Sequence, residues 1–165
     1  MKKIILGLAV FLALGTLVWY ARPEENKNEK TNAAVSVSSV FNAPETNYDF
    51  GSISMSAGKV KHMFRIENTK NEPLNIGKMY TSCMCTSASL LMDDKTFGPY
   101  GMPGHGFFGG AVNQVLNPNQ SAEVEVIFDP AAHGPAGVGP IERAVFVESG
   151  DGSTIQLNIK AVVTP

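Results

Sequence analysis

Two cysteines, Cys83 and Cys85, stand one residue apart in the run Thr81-Ser82-Cys83-Met84-Cys85-Thr86, and the 165-residue chain has no others. In an extended backbone, side chains two positions apart project to the same face. The two thiols are therefore expected to point together, with the Met84 thioether opposite or beside them. Thiolate, thioether and imidazole are the donors that suit Cu(I), while two thiolates with two imidazoles suit Zn(II). Donors of these kinds recur downstream: Met102 and His105 in one Gly-rich stretch, His133 in another. Loops folding back over the cysteines would assemble a site from Cys83, Cys85, His105, His133, Met102 and Met84, suited to copper before zinc. The spacing matches no finger or cluster signature, so the donor types alone motivate this reading.

Other chemistries fit the sequence less well. A direct Cys83–Cys85 bridge must close across one residue, whereas disulfides join Cα atoms about 4.4–6.8 Å apart. Such a bridge needs a bend and is strained and easily reduced. The motif is not Cys-x-x-Cys at a helix start, so no helix dipole lowers a thiol pKa. Thiol–disulfide chemistry thus ranks third, behind a binding or scaffolding role and metal binding. Gly104-His105-Gly106-Phe107-Phe108-Gly109 fits Gly-x-Gly-x-x-Gly, but no strand-to-helix turn surrounds it. No nucleophile elbow and no His-Glu-x-x-His occurs, and Asp93-Asp94 reads as a turn, so no enzyme is expected. His62 shares a strand face with Phe64 and Ile66 and reads as packed or capping; Met55 and Met63 read as filling.

The compartment comes from the other end of the chain. Residues 1–22 read as a signal anchor or transmembrane helix. Lys2 and Lys3 precede eighteen uncharged residues, 4–21, which as a helix span roughly 27 Å, near the thickness of a bilayer core. Trp19 and Tyr20 suit the interface, and the lysines keep the start in the cytoplasm. A small-residue cleavage site is poorly formed, because Trp19 occupies one key position, so an uncleaved anchor is favoured. The domain is then expected outside the cytoplasm, in the periplasm or at the cell surface. Residues 23–46, opening with a polar run of mixed charge, read as a linker. The net charge of −2, with no basic block beyond the start, argues against nucleic acid.

Residues 47–165 read as all-β. Positions 60–68 alternate, with Val60, His62, Phe64 and Ile66 on one face. Positions 122–129 and 154–163 alternate likewise, and further short strands are expected at 48–53, 74–80 and 141–149. Six to eight such strands with turn signals between them indicate an antiparallel β-sandwich. Its core should hold Phe64, Ile66, Val124, Val126, Phe128, Ile155, Leu157 and Ile159. A Gly-rich insertion at 93–118 and a second irregular segment at 130–140 interrupt the pattern. Sequence order places His105 and His133 at the same end of the sandwich as the cysteines.

Several motifs then occur in order: Asp49-Phe50-Gly51-Ser52-Ile53, Phe64-Arg65-Ile66-Glu67-Asn68, Pro73-Leu74-Asn75-Ile76, Ser82-Cys83-Met84-Cys85-Thr86 and Leu116-Asn117-Pro118-Asn119-Gln120-Ser121. Over residues 47–163 the chain resembles the bacterial envelope proteins of domain-of-unknown-function family 1573, which are similar to immunoglobulin-like domains of the ASPM, SPD-2 and Hydin type. It departs from them in having Met84 where glycine is usual, and in the long insertion. The resemblance implies an exported immunoglobulin-like sandwich and no particular activity. Together these readings describe an envelope-anchored, non-catalytic binding or scaffolding module. Its partners would be the membrane, through the N-terminal helix, and an envelope protein or glycan; the alternative is a metal-binding protein.

Overall fold

The computed structural model describes residues 41–105 and 110–165. The expected N-terminal helix and most of the linker lie outside these residues. Ten strands follow one another: β1 (Phe41–Asn42), β2 (Asn47–Ser54), β3 (Val60–Asn68), β4 (Leu74–Thr81), β5 (Thr86–Met92), β6 (Lys95–Tyr100), β7 (Ala111–Leu116), β8 (Ser121–Phe128), β9 (Gly139–Ser149) and β10 (Thr154–Thr164). They form two five-stranded sheets, ordered β1-β3-β8-β5-β6 and β2-β10-β9-β4-β7. No helix among the described residues is long and apolar enough to cross a membrane.

Alternation builds the core. On β3, Phe64 and Ile66 are buried while Lys61 and Arg65 face water. They pair in register with Val124 and Ala122 of β8. From the facing sheet, Ile155, Leu157, Ile159, Ala161 and Val163 of β10 point inward at every second position. All eight residues expected in the core are buried. Each large aliphatic or aromatic side chain taken from water stabilises the sandwich by about 1.5–3 kcal/mol before entropy is counted. Phe41, expected within the linker, is buried in the same core.

Three expectations are corrected. The second sheet is mixed, because β2 runs parallel to β10. These are the second and the last strands in the chain, so no hairpin constrains their direction and the rest of the domain serves as the crossover. The 93–118 insertion is not structureless, since it carries the whole of β6 and of β7. Asp93 and Asp94 adopt left-handed φ of 50° and 59°, which closes a tight β5–β6 hairpin. β6 contains glycine and proline and is an edge strand, where both are tolerated. The cysteines, finally, do not lie in an extended strand, as described below.

The connections decide where chemistry is placed. β4 belongs to one sheet and β5 to the other, so residues 82–85 cross between sheets at one end of the sandwich. Thr86 of β5 pairs with Phe128, the last residue of β8, so the β8–β9 loop leaves from that same end. β9 returns beside β4 with Val145 opposite Thr81. Three chain segments therefore meet where the two sheets separate.

Candidate functional site

The Cys-Met-Cys motif is a β-turn. The Thr86 N–H donates to the Cys83 carbonyl at 3.1 Å, which makes Met84 and Cys85 the central residues. The Cys85 N–H in turn reaches the Cys83 Sγ at 3.4 Å. The two thiols converge because the chain bends, not because it is extended. Thr81 and Thr86, both buried, brace the bend. The Thr81 hydroxyl lies 2.9 Å from the Cys83 carbonyl and 3.0 Å from that of Thr86, sharing one proton between them. The Ser82 N–H donates to the Ala144 carbonyl and the Ser82 hydroxyl accepts from the Ala144 N–H, each at 2.9 Å, which ties the turn to β9. The Asp129 N–H donates to the Cys85 carbonyl at 2.9 Å, which ties it to the end of β8.

His133 arrives from the β8–β9 loop. The Asp129 carboxylate accepts from the Ala131 N–H at 3.0 Å, an Asx-type turn that bends the chain back. His133 then precedes a single 3-10 turn, Gly134–Gly137. Its Nε2 lies 3.2 Å from the Cys83 Sγ. The donor atoms of Cys83, Cys85 and His133 all lie within 4.8 Å of one another, and among the described residues they are the one such cluster of cysteine, histidine and carboxylate donors. Cys85 is buried, Cys83 half-buried and His133 exposed, so the site has a closed floor and an open side.

Arg143 completes the surroundings. It occupies an inward register of β9, in phase with Ile141, Val145 and Val147. Its Nε donates to the Cys85 Sγ at 3.2 Å and its Nη1 to the Glu142 carbonyl at 2.8 Å. Among the described residues it makes no ion pair with a carboxylate. A half-buried guanidinium without a carboxylate has sulfur as its nearest counter-charge.

These neighbours split the two thiols. Burial raises the Cys83 thiol, but hydrogen bonds from the Cys85 thiol and N–H and from His133, with the positive field of Arg143, outweigh burial and bring it down to about 7. Burial raises the Cys85 thiol, and its hydrogen bond to Cys83 raises it further against the pull of Arg143 and Thr86. Cys83 is thus the more readily ionised of the two, while the Cys85 sulfur accepts from Arg143. A soft cation entering between the sulfurs and His133 would displace the remaining thiol protons and meet two anionic donors and one imidazole.

Of the other residues expected at the site, His105 lies outside the cluster. His105 is exposed in the loop after β6, its N–H donating to the Met102 carbonyl at 3.2 Å, and its imidazole is outside the cluster. That loop does leave and return beside the end of β4, through Thr81 N–H to the Gly101 carbonyl at 3.3 Å and Met79 N–H to the Gly110 carbonyl at 2.8 Å. The described residues of the loop do not bring His105 to the sulfurs. Met102 is half-buried at the start of the same loop. Met84 is 49 % exposed at the tip of the cysteine turn. Arg143 was missed from sequence. The available signal was a cation on the inward phase of an otherwise apolar alternating strand.

Residues 41–98 match the model of family DUF1573, described as a protein of unknown function. That stretch contains both cysteines, while His133 and Arg143 lie beyond it. A protein of unknown function from Porphyromonas gingivalis W83 is similar in structure, with a TM-score of 0.54 and 18% identity, covering 74% of this chain and 46% of that one. A family 123 glycoside hydrolase from Clostridium perfringens gives a TM-score of 0.51 at 7% identity, covering 72% of this chain and 22% of that one. The PapD-like domain 7 of human CEP192 gives 0.47 at 11% identity, covering 76% and 85%. The chain thus spans less than half the length of the first two. At these identities the likeness is one of fold alone. No curated protein matches the chain.

Proposed function

We propose that this chain is a non-catalytic binding module, held outside the cytoplasm by its N-terminal segment, whose working site takes up a soft metal ion. The ligands are Cys83, Cys85 and His133, and the preferred ion is Cu(I) before Zn(II). The observation that carries this reading is the convergence of two Sγ atoms and one imidazole nitrogen within 4.8 Å. Two thiolates and one imidazole satisfy a low-coordinate Cu(I) ion, whereas a closed Zn(II) site takes four protein ligands. The cluster is built by a β-turn and one loop, with the turn tied by hydrogen bonds to β9 and to the end of β8, so it is organised before metal arrives.

The test is titration of the reduced, full-length protein with Cu(I) against a chromophoric competitor, beside Cys83→Ser, Cys85→Ser and His133→Ala. Wild-type protein should bind one equivalent. Loss of a direct ligand should cost more than the roughly 10–100-fold typical of an outer-shell partner, so each serine variant should lose over about 100-fold. Equal affinity in wild type and the serine variants would remove the cysteines from any metal role.

A second reading rests on the asymmetry of the two thiols. The Cys83 thiol, lowered to about 7, suits attack on an external disulfide, and the buried Cys85 thiol suits resolution of the mixed disulfide. The external disulfide would leave as two thiols and a Cys83–Cys85 disulfide would form. Turnover of a disulfide substrate by metal-free protein, lost in Cys83→Ser, is the outcome that would favour it.

A further inference from the structure

The geometry points to Arg143 as the residue that sets which metal the site accepts: it is a fixed positive charge held on the Cys85 sulfur that favours one monovalent ion over a divalent one. This inference rests on the Cys83–Cys85–His133 reading of the site and deepens it. Arg143 takes an inward register on β9, where Ile141, Val145 and Val147 precede and follow it. Its Nε donates to the Cys85 Sγ at 3.2 Å, and its Nη1 is tethered to the Glu142 carbonyl at 2.8 Å. The fork is therefore held at both ends, and no carboxylate among the described residues neutralises it. A guanidinium stays charged across the whole accessible pH range.

The consequence follows from counting charge. Two thiolates and a neutral imidazole around Cu(I) leave one net negative charge, and the guanidinium cancels it. The same ligands around Zn(II) are already neutral, so the guanidinium leaves an unbalanced positive charge beside the metal. In a half-buried site an unbalanced charge is costly, since its interactions are screened less than in water. Zn(II) would further need a fourth ligand, and the cluster supplies three. The hydrogen bond also occupies a lone pair of the Cys85 sulfur. A sulfur so engaged is a poor bridge between two ions, which favours a single Cu(I) over a copper–thiolate cluster.

The experiment compares full-length wild type with Arg143→Met and Arg143→Lys. Cu(I) affinity is measured against bicinchoninate and Zn(II) affinity against a pyridylazo chelator, with copper stoichiometry followed in the same titrations. For wild type the ratio should favour Cu(I) with one ion bound. In Arg143→Met the Cu(I) affinity should fall about 10–100-fold, the range of outer-shell partners, while Zn(II) affinity holds or rises. Arg143→Lys keeps the charge and should keep most of the discrimination. Equal losses of both metals in Arg143→Met, or an unchanged ratio, would overturn the assignment while leaving the metal site standing. Wild-type protein that binds neither metal would overturn the site and this inference together. Unfolding of the metal-free variants, followed by circular dichroism, separates a collapsed site from an altered charge. If Arg143→Met does not fold, the Arg143→Lys ratio decides: discrimination lost despite the retained charge contradicts the charge argument.

Discussion

Cys83 and Cys85 have the same chemistry and different surroundings, and that difference has a measurable consequence. With the Cys83 thiol at about 7 and the Cys85 thiol raised, Cys83 passes from thiol to thiolate near pH 7 while Cys85 stays a thiol. Metal binding needs both deprotonated, so proton and metal compete. Below about pH 7 the sulfurs release two protons for each Cu(I) bound, and above it they release one. Apparent Cu(I) affinity should therefore rise with pH throughout, with a slope that eases from two to one near pH 7. Potentiometric titration during copper addition measures this directly. A slope of zero across pH 6–8 would mean that the thiols are not ligands. At this scale the sequence showed the donors Cys83, Cys85 and His133 but not how they meet. The i,i+2 spacing suggested an extended pair, and the Thr86–Cys83 hydrogen bond makes a turn instead. Turns at a sheet-to-sheet crossover depend on where the two strands end, which local spacing does not encode. His105 looked equivalent to His133 because both sit among glycines; only the strand connections separate them.

At the scale of elements, the alternating strands β3, β8 and β10 were legible because one face of each is buried and period two records it. Strand β6 was not, because its burial pattern is mostly exposed and edge position removes the alternation. The β3–β4 and β7–β8 connections share a polar anchor that pattern reading also passes over. Asn68 is fully buried at the end of β3. Its amide donates to the Glu72 carbonyl at 2.8 Å and the Leu116 carbonyl at 2.9 Å, and its Oδ1 accepts from the Lys70 N–H at 2.9 Å. Its backbone bonds to Gln120 and Asn119, each at 3.0 Å. Asn68→Ala removes the side-chain partner of the Glu72 and Leu116 carbonyls and the Lys70 N–H and opens a cavity, so it should cost about 2–4 kcal/mol. Urea unfolding should show the midpoint falling with an unchanged m-value. A loss below about 0.5 kcal/mol would mean that water replaces the amide without penalty.

At the scale of the whole molecule, location and site chemistry constrain each other. A half-buried Cys83 thiol near neutrality, beside a second thiol, would be oxidised in an oxidising compartment unless occupied or kept reduced. Metal occupancy supplies such protection. The proposed location outside the cytoplasm rests on the charged start and apolar run of residues 2–21. A reporter fused after Pro165 that is active only when exported should be active in cells, and a reporter active only in the cytoplasm should be silent. The reverse pattern would put the sandwich in a reducing compartment and remove the need for protection.

A metal ion held among Cys83, Cys85 and His133 has a ligand shell that can be read directly. X-ray absorption at the copper edge, on full-length protein loaded with one equivalent of Cu(I), reads the ligand shell without assuming it. The predicted shell is two sulfur atoms and one nitrogen, with the nitrogen lost in His133→Ala and one sulfur lost in each cysteine variant. A shell of nitrogen and oxygen alone, or one that is unchanged by all three substitutions, would contradict it.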